Sequence, residues 1–166
     1  YDGDSNMRIR QEIVLGIAGV RALAAMGLQP TVYHLNEGHP AFVSIERLKQ
    51  LIEQGLDFRL ATEIVRKSTL FTTHTPVPAG FDVFSMDQIK QYLSGIYEPV
   101  GINLNMLMSF GRKDRSNANE PFNMAVCGIN LSTYRNGVAK LHGKVSREMF
   151  HSMWSQAILS QVPIGH

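Results

Sequence analysis

The sequence predicts an α/β fold, a mainly parallel sheet with helices on its faces. Three observations predict it. Two short runs rich in β-branched and aromatic residues, at 31–35 and 68–73, have the composition of buried strands. Segments with apolar residues at helical spacing lie before, between and after them. Helix, strand, helix, helix and strand then alternate at the distances that crossover connections require.

The first helix is expected over Met7–Met26, where Ile9, Ile13, Val14, Ile17, Val20 and Leu23 recur at helical spacing, with Gly27 as its stop. Pro30 punctuates, and Thr31–Leu35 reads as the first buried strand. A second helix is expected over Pro40–Glu53, burying Phe42, Ile45, Leu48 and Leu51 and ending at Gly55. Asp57 can cap a third over Phe58–Arg66. Ser68–Thr73 is the second strand, and Pro76–Gly80 a rigid loop. Ser85 or Asp87 opens a helix through Tyr97, and Gly101–Ser116 is loop-rich with a helical turn near Leu104–Met108. Beyond it the reading is a helix over Pro121–Tyr134, a turn at Asn136-Gly137, a short strand over Val138–Leu141 and a helix over Val145–Trp154. No repeat or internal boundary stands out, so residues 1–166 are read as one partial domain.

The chain has 166 residues, enough to bury a core without staples. Hydrophobic residues make up 44% and charged residues 18%, the balance of a folded protein rather than a disordered one. A net charge of +2 argues against nucleic acid or an anionic membrane as partner. The basic run Arg112-Lys113-Asp114-Arg115 is read as a solvated loop. Cys127, the single cysteine, allows no intrachain disulfide and sits in the apolar run Met124–Cys127, which suits a core position in a reducing compartment. No run reaches transmembrane length and no leader is recognised, so a cytoplasmic protein is expected. The start at Tyr1 and the end at Ile164-Gly165-His166 are read as those of a piece of something longer.

Ligands of open parallel sheets bind beyond the carboxyl ends of the strands. Both strong strands end there in chemistry-bearing residues. The first runs into Asn36-Glu37-Gly38-His39-Pro40, the second into His74-Thr75-Pro76. Gly38 permits a close backbone approach or a positive φ. Pro40 suits the first position of a helix. Thr75, before proline, is pushed extended, which can leave the His74 carbonyl facing the cleft. Amide, carboxylate, imidazole and carbonyl groups together suit a polyhydroxyl ligand. Each residue also has a plainer reading. Glu37 can favour a helix start, His39 can bridge backbone groups, and His74 can be a satisfied buried histidine. His34 is expected to pack within its strand, with His142 and His151 at the surface or at caps. His34, Glu37, His39 and His74 lack the spacing of a helical zinc pair, so no metal is expected. There is no GxGxxG, no GxxxxGK[ST] and no GxSxG.

Four segments resemble the α-glucan (glycogen, starch, maltodextrin) phosphorylase family. They are His34–Phe42, Phe71–Asp82, Phe122–Ala125 and Asn136–His142, in the family's order and spacing. Glu37-Gly38 and the Pro78-Ala79-Gly80 run resemble the shorter bacterial and archaeal members, where animal members have Asp-Thr in the first motif. The resemblance covers nearly the whole chain. It implies a Rossmann-like parallel sheet with flanking helices, the later part of the amino-terminal domain of a two-domain GT-B glycosyltransferase fold.

The activity implied is phosphorolysis, in which an α-1,4-glucan and orthophosphate give α-glucose-1-phosphate and a chain one glucose shorter. The cofactor implied is pyridoxal phosphate, held by a lysine of a carboxy-terminal domain outside this chain, so the piece alone is expected to be inactive. By the match, His74 is the catalytic residue, its carbonyl placing negative potential near the sugar ring and its imidazole binding the glucose 6-hydroxyl. Glu37 and His39 match acceptor-side or loop-positioning residues, and Asn36 is a further substrate-binding candidate. The start at Tyr1-Asp2-Gly3-Asp4 resembles the end of a mobile active-site loop. The alternatives are a stand-alone carbohydrate-binding or scaffold domain and a metal-dependent hydrolase. The partners expected are glucan, glucose-1-phosphate, orthophosphate and the rest of the polypeptide, with a homo-oligomer possible through an apolar face that belongs against that remainder.

Overall fold

The computed structural model describes residues 4–166, so Tyr1–Gly3 of the proposed loop lie outside the described residues. Asp4 caps the first helix by accepting the Met7 amide hydrogen at 2.9 Å. That helix runs as α1 (Ser5–Ile13), a π-helical segment (Val14–Ala18) and α2 (Gly19–Ala25), and Gly27 leaves it at φ 75°. The widened segment sits where the helix meets α3 (Phe42–Glu53). A Cβ on Gly16 would lie 2.8 Å from the Val43 nitrogen, so only glycine lets the two backbones come this close.

Three strands, β1 (Tyr33–Asn36), β2 (Thr69–Thr73) and β5 (Tyr134–Gly137), form one wholly parallel sheet in the order β1-β2-β5. Leu35 lies beside Phe71, and Thr73 beside Gly137. Helices α3 and α4 (Phe58–Lys67) make the first crossover, with the Asp57 carboxylate capping α4 at Arg59 and Leu60. Between β2 and β5 come a two-residue strand β3 (Val83–Phe84), α5 (Met86–Tyr97), α6 (Leu104–Phe110), β4 (Phe122–Asn123) and α7 (Met124–Asn130). Ser85 and Gln88 close a capping box on α5. Helix α8 (Lys140–Phe150) follows β5.

Two apolar clusters hold these elements. Ile9, Phe42, Ile45, Leu48, Phe84, Leu93 and Phe122 join the helices to the β3–β4 ribbon. Leu35, Phe71, Val126, Ile129 and Phe150 join the sheet to α7 and α8. Cys127 is fully buried, as expected of a core residue, and burial pushes its thiol far up.

Several expectations are corrected. The third strand is Tyr134–Gly137 rather than Val138–Leu141, and Asn136-Gly137 ends it instead of forming a turn. Residues 121–134 are not one helix, because Asn123 pairs with Val83 and then caps α7 through the Val126 amide. Helix α8 starts at Lys140, five residues early, and Phe150 ends it before a 3-10 turn. In β1 only Leu35 is fully buried, while His34 and Asn36 alternate to the opposite, exposed face. His34 therefore does not pack; its Nε2 meets the Thr72 hydroxyl at 2.7 Å. Arg112 is no solvated cation but 3% exposed, its guanidinium donating to the carbonyls of Glu120 and Ala118. His142 is half-buried rather than surface, whereas His151 is at a cap as expected, closing α8 while its Nε2 bonds the Ala157 carbonyl.

Candidate functional site at the carboxyl rim of the sheet

Strands β1 and β2 end side by side, with Asn36 beside Thr72, so the segments that follow them share one rim. Glu37 leaves β1 at φ 74°, the only non-glycine residue in the left-handed region among the described residues. The positive φ falls on Glu37 and not on Gly38. What Gly38 supplies is the close approach, since a Cβ there would lie 2.8 Å from the Ala125 nitrogen.

This backbone turn sends the Glu37 carboxylate across to the second strand end. Oε2 accepts the amide hydrogens of His74 at 2.7 Å and Thr75 at 2.8 Å, and the Thr75 hydroxyl at 2.9 Å. Oε1 accepts the Thr73 hydroxyl at 3.3 Å. Glu37 is 8% exposed, and the charge is met by these donors rather than by a cation. It does not act on the following helix start.

The peptide between His74 and Thr75 is trans, so its N–H and C=O point in opposite directions. With the Thr75 N–H fixed on Glu37, the His74 carbonyl points away from that carboxylate. Among the described residues it accepts no backbone or side-chain hydrogen bond. The His74 ring is exposed rather than buried. Asn36 is exposed at the end of β1 on the face opposite Leu35.

His39 lies in a second cluster on the same turn. Its Nδ1 is 3.1 Å from Asp82 Oδ2 and 3.3 Å from Glu12 Oε1. Arg8 forks onto Asp82, Nε to Oδ1 at 3.0 Å and Nη2 to Oδ2 at 2.5 Å. Glu12 is fully buried. Burial first, then its contact with Asp82 and the charge of that neighbour, push the Glu12 carboxyl up to about 10. Asp82 moves the other way: burial raises it, but the bonds from Arg8 and Glu12 and the nearby positive charge more than offset that. Glu12 therefore carries the proton and Asp82 the charge. Oε2 of Glu12 is buried and has no hydrogen-bond partner among the described residues.

His34, Glu37, His39 and His74 are thus not gathered as one ligand set: the Glu37 oxygens serve the loop, and His34 stands on the sheet face. Glu12, His39 and Asp82 do bring three ligand-type atoms within 4.8 Å of one another. Both Asp82 oxygens already accept from Arg8, and Glu12 is neutral, so the trio is held as a hydrogen-bonded unit. Arg8, Glu12 and Asp82 were not singled out as site residues from the sequence. One signal was available, because Glu12 falls on the buried stripe of Ile9 and Gly16.

Lys49 pairs with Glu53, Lys113 lies against the Phe150 ring, and Lys67, Lys90, Lys140 and Lys144 are exposed. No helix among the described residues is long and apolar enough to cross a membrane.

The family model "Carbohydrate phosphorylase" matches residues 21–162. The chain is 42% identical over 164 residues to the maltodextrin phosphorylase of Thermococcus litoralis, covering 99% of this chain and 19% of that protein. It is 42% identical over 177 residues to the glycogen phosphorylase of Mycobacterium tuberculosis, covering 99% and 20%. With the glycogen phosphorylase of Aquifex aeolicus the identity is 31% over 156 residues, covering 94% and 22%. The chain thus spans about a fifth of the length of these relatives. The family match and the rim motifs agree, and the chain belongs to the carbohydrate phosphorylase family.

Proposed function

We propose that the protein carrying this segment is an α-glucan phosphorylase. It uses orthophosphate to release α-glucose-1-phosphate from the end of an α-1,4-glucan. The reading rests on one observation above all: the Glu37 carboxylate fixes the His74–Thr75 peptide so that the His74 carbonyl points away from it at the sheet rim.

Breaking the glycosidic bond builds positive charge on the anomeric carbon and ring oxygen. A carbonyl oxygen held nearby stabilises that charge without reorganising. Two features make the His74 carbonyl effective. Its peptide N–H is tied to a carboxylate, which polarises the carbonyl. The left-handed turn at Glu37 and the Gly38–Ala125 contact then keep the carboxylate in place. Glu37 is on this account a positioning residue. The exposed His74 imidazole binds a sugar hydroxyl, and Asn36 offers a further amide to the glucan. His39 is oriented by Asp82 and Glu12, with Arg8 neutralising Asp82.

The segment is the later part of the amino-terminal domain of a GT-B fold. Pyridoxal phosphate, its lysine and the phosphate-binding residues belong to the rest of the polypeptide, which works in the cytoplasm. The test is direct. Purified intact protein given maltoheptaose and orthophosphate is expected to release α-glucose-1-phosphate. Intact, folded, cofactor-loaded protein that forms none overturns the reading.

A further inference from the structure

At the opposite rim of the sheet a second constellation is unused by this account. Arg66 is in the last turn of α4 before β2, Asn130 ends α7, and Arg135 is the second residue of β5. With Lys113, Arg115 and Trp154 they line a cavity of about 240 Å³. A strand of four or five residues, roughly 15 Å, separates it from the rim that carries Glu37 and His74.

Four cations and no carboxylate line this cavity. Glu63 touches Arg66 Nη1 at 3.4 Å, an exposed pair that offsets little of the charge. Arg66 Nε is buried and finds no acceptor among the described residues. Arg135 is anchored, its Nε on the Ile129 carbonyl at 2.8 Å and its Nη2 on the Ser132 carbonyl. Arg115 is set by the Asn130 amide oxygen at 3.2 Å. These guanidinium groups are therefore held in place before any ligand arrives. Burial and the charge of Arg66 push Arg135 down to about 10 and lower Arg115 too. Like charges in one pocket repel, and an anion of charge −2 or more removes that repulsion.

The cavity is too small for a polymer. One face of the Trp154 ring is covered by the Arg135 guanidinium at 5.5 Å. A compact tetrahedral oxyanion with forked acceptors fits the donors present. We propose that Arg66, Lys113, Arg115 and Arg135 form a binding site for a small phosphate-bearing anion, separate from the glucan rim. The proposal is independent of the phosphorylase reading, since it rests on residues at the other end of the sheet.

The probe is inorganic pyrophosphate, titrated by calorimetry into the intact protein in phosphate-free, low-salt buffer. Glycerol phosphate and orthophosphate serve as comparison arms, separating a diphosphate, an ester and a free-phosphate preference. Lys113→Gln and Arg115→Gln remove donors from a half-buried and an exposed position, and the double variant is expected to fold. Stoichiometric binding to wild type, weakened about tenfold or more in the double variant and partly restored by Arg115→Lys, supports the site. A folding check by circular dichroism accompanies each variant, and Asn130→Ala, which frees Arg115, provides a second, milder lesion. Equal pyrophosphate affinity in wild type and the folded double variant, or no binding of any of the three anions by wild type, overturns it.

Discussion

The Glu37 carboxylate and the His74 backbone are joined across two strand ends: Oε2 of Glu37 accepts the His74 amide hydrogen at 2.7 Å and that of Thr75 at 2.8 Å. Because the peptide is planar and trans, these bonds fix which way the His74 carbonyl points. A single side chain in a left-handed backbone conformation thereby sets an electrostatic feature one strand away.

Glu37→Gln tests that relation. The amide oxygen can still accept one or two of these hydrogens, but the charge that strengthens them is lost. The intact enzyme is expected to lose about 10- to 100-fold in kcat with a smaller change in KM. Glu37→Ala leaves the His74 and Thr75 N–H groups without their acceptor and is expected to lower stability by roughly 1–3 kcal/mol. Steady-state kinetics and denaturant unfolding measure the two effects separately.

The Glu12–Asp82 pair predicts a pH dependence of stability. A Glu12 carboxyl raised from its ordinary 4.5 to about 10 keeps its proton in the folded state and loses it in the unfolded state over that interval. Folding then takes up a proton, so this group's contribution is full below pH 4.5 and falls as pH rises toward 10. Glu12→Gln keeps an N–H donor for Asp82 and removes the cost of protonation. The variant is expected to be more stable than wild type at pH 7, by roughly 1–3 kcal/mol, and nearly equal to it at pH 4. Urea unfolding at the two pH values checks the difference. An equal effect at both would place the cause elsewhere.

A pair of glycine substitutions separates close approach from conformational freedom. A Cβ on Gly38 meets backbone atoms of Ala125 and Met124 at 2.8–3.2 Å, which cannot swing aside as a side chain does. Gly38→Ala is expected to destabilise by roughly 1–3 kcal/mol. Gly19, in a helix with nothing within 4 Å of its Cβ position, should gain stability on Gly19→Ala, by roughly 0.5–1 kcal/mol. Thermal melts of both variants check the order.

The strands at 33–36 and 69–73 were legible in the sequence because β-branched and aromatic residues cluster there between clear punctuation. Strand Tyr134–Gly137 was not. Tyr-Arg-Asn-Gly has no apolar alternation, and what makes it a strand is pairing with β2, a partner about 64 residues away. Asn123 shows the same effect locally, since pairing with Val83 delays a helix that the pattern would start at Pro121. The rim motifs were legible as chemistry but not as geometry. Nothing local shows that Glu37 turns toward His74 and Thr75 rather than toward its own helix. The Arg8–Glu12–His39–Asp82 cluster joins residues from three distant places, and only the packing of α1 against the rim brings them together. Lys113 and Arg115 read as a solvated run because the cations they meet, Arg66 and Arg135, come from other elements.

The His74 strand end is proposed to act on the sugar during phosphorolysis. The most direct test is the kcat of His74→Ala in the intact enzyme, with maltoheptaose and orthophosphate, beside a folding check by circular dichroism. A loss on the order of 100-fold or more is expected with the fold intact, because the substitution removes the imidazole that binds the sugar hydroxyl while Glu37 still holds the backbone. A folded variant turning over at close to the wild-type rate would contradict it.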